Sequence, residues 1–193
     1  MDKIKKLEVA NVIKDYNYMQ ETLENKKELV TIINDNFFKE VSKKGYGDAV
    51  RIFIEKNSNK YIDKGNTKND DKEIPVLPKD LKKIYRKITS RTHPDKLIKM
   101  KDELKKFKYL EMYKQAVTAK IENDKGTMLD LALQLNIDLP DTCYEHLSEV
   151  RQSIEHLKFN IQNMENTYPW LWHVAPDEAK KTEIIEKYVN SIS

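Results

Sequence analysis

The chain has 193 residues, 39% of them hydrophobic and 35% charged, with a net charge of only +3. That length suits one domain, or a small domain with long helical extensions, and excludes a large multidomain enzyme. Four glycines and six prolines leave little turn material for a many-stranded sandwich or barrel, so the expected fold class is all-α.

Residues 1–56 read as an N-terminal helical arm, broken near Gly45 and Gly47. Val9, Ile13, Tyr16, Leu23, Val30, Phe37 and Val41 recur at three- and four-residue spacing. Gln20, Lys27 and Asn34 interrupt one column of that stripe, whereas Tyr16, Leu23, Val30 and Phe37 form a wholly apolar column that needs a partner surface. Residues 57–74 are polar, Asn-rich and aperiodic, the signature of a linker.

The next segment, 75–140, opens at Pro75 and Pro78. Pro78 with Asp80 suits a first helical turn, because proline has no amide to leave unpaired and a carboxylate favours the positive end of the helix dipole. Leu81, Ile84, Tyr85 and Ile88 make an apolar face, with Lys82, Lys83, Arg86, Lys87 and Arg91 opposite. Pro94 cannot continue the helix, so the chain turns at His93-Pro94-Asp95. A second helix is expected from about Asp102 to Ile121, with Leu104, Phe107, Leu110, Tyr113, Val117 and Ile121 inward, packed on the first as an antiparallel hairpin. Gly126 separates it from a short apolar helix containing Met128, Leu129, Ala132, Leu133 and Leu135, which Pro140 terminates.

In the last segment, 141–193, Cys143, Leu147, Val150, Ile154, Leu157, Ile161, Met164 and Tyr168 alternate spacings of four and three. This is a heptad seam of a coiled-coil-like helix. Its partner is either the N-terminal helix folded back or the same helix of a second subunit, which would make a homodimer. Pro169 is expected to stop it and Tyr168-Pro169-Trp170-Leu171-Trp172 to plug the end. Pro176 opens a terminal helix burying Ile184, Ile185, Tyr188, Val189 and Ile192.

Charge is concentrated. Residues Lys79 to Lys108 hold twelve Lys or Arg against four Asp or Glu, a balance of +8 that leaves the rest of the chain at −5. A field of that kind steers an acidic protein patch, a nucleic acid or a membrane surface within a Debye length of about 8 Å, or else marks a solvated lysine-rich face.

The stretch LKKIYRKITSRTHPDK, residues 81–96, resembles the J domain of the DnaJ family: a basic amphipathic helix running into a His-Pro-Asp turn and a further basic residue. The resemblance covers about residues 78–121. It implies a co-chaperone that docks its basic helix on an acidic groove of a DnaK-type heat-shock ATPase and triggers that partner's ATP hydrolysis, performing no chemistry itself and needing no cofactor or metal. Carried over by position, Lys82, Tyr85, Arg86, Lys87 and Lys96 form the docking surface, and His93, Pro94 and Asp95 the trigger. Two departures stand out: Thr92 occupies the place where the family usually has an aromatic, and the family's Ala-Tyr pair is absent at the matching spacing after Phe107. No Gly/Phe-rich stretch or four-cysteine zinc module accompanies the motif. The tail from Lys114 onward looks like those of some viral and bacterial J-like proteins, and a Lys- and Asn-rich composition with only four Arg resembles that of AT-rich large DNA viruses.

The remaining residues point to little chemistry. His146, His156 and His173 are expected at the surface or core edge, not as metal ligands, and Cys143 as a buried structural thiol. A lone cysteine allows no internal disulfide. No phosphate loop, nucleophile elbow or paired catalytic carboxylates are found, so the chain is expected not to be an enzyme. No run of about 18 apolar residues occurs and the N-terminus lacks a signal-peptide core. The expected location is therefore cytoplasmic (host cytoplasm or virion if viral), with no membrane partner. The partners expected are the heat-shock ATPase and a client protein. Two alternatives remain: a structural or assembly protein, for instance of a virion, that uses the hairpin as scaffold, and a nucleic-acid binder, which the scarcity of Arg and of aromatics on the basic face disfavours.

Overall fold

The computed structural model describes residues 2–52 and 77–192. All regular structure among them is helical, which makes the protein all-α, and none of the described helices is long and apolar enough to cross a membrane. The helices are α1 (Lys3–Val41), α2 (Lys79–Thr92), α3 (Pro94–Leu97), α4 (Glu103–Glu122), α5 (Lys125–Gln134), α6 (Leu147–Glu165), α7 (Tyr168–His173) and α8 (Glu178–Ile192). The expected linker at 57–74, and Pro75 with it, lie outside the described residues.

The chain divides into two compact units, Met1–Gln20 with Glu73–His156, and Glu21–Lys72 with Leu157–Ser193. The division expected near residue 140 coincides with no limit of either unit, because each unit combines segments far apart in sequence. Helices α1 and α6 contribute to both, and a helix carries no sequence signal where its packing partner changes.

In the first unit the apolar face of α2 is buried as its periodicity requires: Leu81, Ile84 and Ile88 are at most 1% exposed. They face α4 and α5. Val9, Ile13 and Tyr16 of α1 and Met128, Leu129 and Ala132 of α5 are buried in the same unit. Of the expected inward face of α4, Leu110, Tyr113 and Val117 are half-buried, but the rest differs. Leu104, Phe107 and Ile121 are 86, 66 and 63% exposed, and the buried residues are Met112, Ala116 and Ala119. Small side chains let the α4 backbone approach α2 and α5 closely, so the helix turns its alanines inward and its largest apolar groups outward. Helices α2 and α4 run antiparallel: the His93 ring meets Tyr113 while Lys120, farther along α4, covers Tyr85, earlier on α2.

Several boundaries also differ. Gly126 does not separate two helices but sits buried in the first turn of α5, where Asp124 caps the helix through the Thr127 amide. Helix α5 ends at Gln134, well before Pro140, because Asn136 adopts a left-handed φ of 49° and the Ile137 amide closes on Ala132 O. Pro140 instead precedes a 3₁₀ turn, Asp141–His146, so Cys143 lies before the heptad helix and not within it. Helix α6 ends at Glu165, and Pro169 lies in the first turn of α7, where its missing amide costs nothing.

In the second unit, Phe37, Val41, Val50, Ile184, Ile185 and Val189 form the core, with Tyr168, Trp172 and Tyr188 packed against it. Phe37 meets the Trp172 and Tyr188 rings edge-on at 5.8 and 5.2 Å. The end of α1 turns through a π-helical stretch, Ser42–Tyr46, in which Gly45 adopts a φ of 88° that L side chains rarely take. Here Lys26 of α1 pairs with Glu165 of α6 at 2.5 Å.

Candidate docking site

Helix α2 is held at both ends. At its start, Asp80 accepts from the Leu81 amide at 2.9 Å and meets His146 Nε2 at 3.0 Å, with both side chains largely buried. Burial pushes the Asp80 carboxyl up, but hydrogen bonds from Thr142, the Leu81 amide and His146 outweigh it, and the pKa lies below the ordinary carboxylate value. At its end, Arg91 donates to Leu135 O and Thr92, fully buried, donates to Ile88 O at 2.9 Å. Thr92 is thus a helix-terminal core residue with its hydroxyl satisfied internally. Arg91, read from sequence as part of the basic face, serves to cap the α5 end.

His93 then leaves the helix with φ −57° and ψ 132°, and Pro94 opens the one-turn α3. The Asp95 amide points at His93 Nδ1 at 3.4 Å. The Asp95 carboxylate lies 3.5 Å from the same nitrogen. The face of the ring is steadied by Tyr113, edge-on at 5.4 Å. The His93 side chain is 44% and the Asp95 side chain 82% exposed.

The other expected docking residues fall into two groups. Lys82, half-buried, and Arg86 and Lys87, exposed, lie away from the Leu81–Ile84–Ile88 face. Arg86 and Lys87 line a groove of about 410 Å³, together with Lys83, Ile84 and the Asp138–Pro140 stretch. Tyr85 and Lys96 are already engaged. Lys120 Nζ lies 4.9 Å from the centre of the Tyr85 ring, and burial followed by Tyr113 raises the phenol pKa. Lys96 Nζ reaches back to Ser90 O at 2.7 Å, which pins the turn to the end of α2. Lys83, Ser90, Tyr113 and Lys120 were not singled out as site residues from sequence. Lys83 follows from helical period alone, whereas the others depend on tertiary approach.

Cys143 is fully buried, and burial followed by the nearby Asp80 carboxylate pushes its thiol up to about 12. At neutral pH it carries no thiolate. Among the described residues no group of three His, Cys, Asp or Glu is placed to hold a metal.

Because Asp80 ties α2 to the 3₁₀ turn, Asp80→Asn is expected to cost about 1–2 kcal/mol at pH 7. The carboxyl pKa is lowered on folding, so its contribution is full above the ordinary value of about 4 and is lost as pH falls through the lowered one. Thermal midpoints followed from pH 7 to 3 should therefore fall in the acid range for the wild type, and less steeply for Asp80→Asn. An unchanged midpoint at pH 7 would show that the tie contributes nothing.

Set against known proteins, the chain matches no family model, no curated protein and no solved structure.

Proposed function

We propose that the chain is a J-domain co-chaperone, in which α2 and α4 form the J-like hairpin and the His93-Pro94-Asp95 turn stimulates ATP hydrolysis by a DnaK-type heat-shock ATPase. The observation that carries this reading is the exposure of that turn at the end of a basic helix, with the imidazole packed against Tyr113. Arg86 and Lys87 are free of intramolecular ion pairs among the described residues and can meet an acidic groove. Charges of this kind raise the association rate and fix orientation more than they add affinity, so binding should be modest and weakened by salt. The heptad residues Leu147, Val150 and Ile154 of α6 are buried within the fold, so a client would have to be met elsewhere.

The test is single-turnover ATP hydrolysis by a DnaK-type chaperone, with and without the protein. Wild type should accelerate it several-fold and His93→Gln should not. A rate left unchanged by wild type, or raised equally by His93→Gln, would overturn the proposal and favour the scaffold reading.

A further inference from the structure

Among the described residues three large apolar side chains at the start of α4 and just before it stay largely exposed. Leu104 and Phe107 stand one turn apart at the start of α4, and Ile98 lies in the loop leading to it, 86, 66 and 73% exposed. Exposed apolar residues scattered singly need no explanation, but this set is contiguous in the chain and interleaved with lysines. Among the described residues Lys99, Lys101 and Lys108 have no side-chain partner. Lys108 lies four residues after Leu104 and so shares its helix face. The two local acids leave these three lysines in excess. Asp102 caps α4 by accepting from the Lys105 amide at 3.0 Å, and Glu103 pairs with Lys106.

We propose that this patch binds the surface of an anionic lipid bilayer, with Ile98, Leu104 and Phe107 inserted at the headgroup boundary and Lys99, Lys101 and Lys108 on the lipid phosphates and carboxylates. Three features select this occupant. The apolar groups protrude from the start of a helix and an adjoining loop, a shape that enters a soft interface. Lysine stems lie along apolar surface while their ammonium groups reach anionic headgroups. The cores of protein interfaces, by contrast, are depleted of lysine, and a nucleic acid would leave the three apolar groups unused. The proposal departs from the sequence-based expectation of no membrane partner, and it is independent of the reading of His93.

Co-sedimentation of the full chain with vesicles tests it. Wild type should bind vesicles of phosphatidylcholine containing about one-third phosphatidylserine, should bind pure phosphatidylcholine at least about tenfold more weakly, and should be released by added salt. The double variant Leu104→Ser/Phe107→Ser, which alters only exposed positions, should lose about tenfold or more, as should Lys99→Glu/Lys101→Glu. His93→Gln should bind as wild type does, which separates this site from the trigger. Absence of wild-type binding to the anionic vesicles, equal binding to neutral ones, or full binding by the serine variant would each overturn the proposal. Capture of an acidic protein through the patch without vesicle binding would likewise replace it.

Discussion

Asp95→Asn is expected to leave the protein as stable as wild type while reducing stimulation of a DnaK-type ATPase by about tenfold or more. The two halves of that expectation have separate grounds. The Asp95 side chain is 82% exposed, and its one ionic neighbour among the described residues is His93 Nδ1 at 3.5 Å. If that nitrogen accepts the Asp95 amide, it has no proton to offer the carboxylate. Removing the charge therefore breaks no contact that folding depends on, and a surface change of this kind typically moves stability by no more than about 0.5 kcal/mol. A partner cation meeting the carboxylate would lose a charge-assisted hydrogen bond of about 1.5–3 kcal/mol, which corresponds to roughly ten- to a hundredfold. Comparison with Asp80→Asn sharpens the point. Both lie in the first turn of a helix and both are within reach of a histidine, yet Asp80 is buried against His146 and Asp95 faces water. The first substitution should lower the thermal midpoint and the second should not. An Asp95→Asn protein that stimulates as well as wild type would detach the carboxylate from any trigger role.

The same contrast explains what could be read from sequence. Helix α2 was legible because its pattern has one solution: Leu81, Ile84 and Ile88 are its aliphatic positions, and burying them leaves Lys82, Arg86 and Lys87 outward. The turn was legible because proline has a fixed φ and no amide. Helix α4 was not, because it offers two candidate faces. A hydrophobicity count prefers the one with Leu104, Phe107 and Ile121, while the fold uses Met112, Ala116 and Ala119. Close approach of backbones rewards small side chains, and residue-by-residue hydropathy does not record that preference. Ties that depend on tertiary approach were equally hidden. Nothing local indicates that Asp80 meets His146, that Arg91 reaches Leu135 O, or that Lys120 covers Tyr85. In the candidate site, then, period and proline geometry revealed which side chains face outward, while the partners that hold them in place required the fold.

Gly126→Ala should be among the most damaging single-atom-group additions in the first unit. On propensity alone it would help, since alanine in a helix is favoured over glycine by about 1 kcal/mol. The packing reverses the sign. A Cβ at this position would lie 2.4 Å from Cε1 and 2.6 Å from Cδ1 of the Tyr16 ring, far inside van der Waals contact. Tyr16 is 5% exposed, and its hydroxyl donates to Asp124 Oδ2 at 2.9 Å, so the ring cannot swing aside without losing that bond and opening the core. Overpacking costs about 1–3 kcal/mol and a hydrogen bond to a charged acceptor about 1.5–3, leaving a net loss of roughly 1.5–5 kcal/mol after the propensity gain. For a chain of this size that is a fall of about 3–20 °C in the thermal midpoint. Gly47→Ala provides the internal control. Its φ of −59° is helical and its Cβ would sit 3.5 Å from Ser42 Oγ, an ordinary contact, so that substitution should be neutral or stabilise by up to about 1 kcal/mol. A double-mutant cycle isolates the cause: in a Tyr16→Ala background the ring is gone, and Gly126→Ala should no longer cost anything. If the penalty persisted there, the steric account of Gly126 would be wrong, and the buried glycine would be required by its backbone instead.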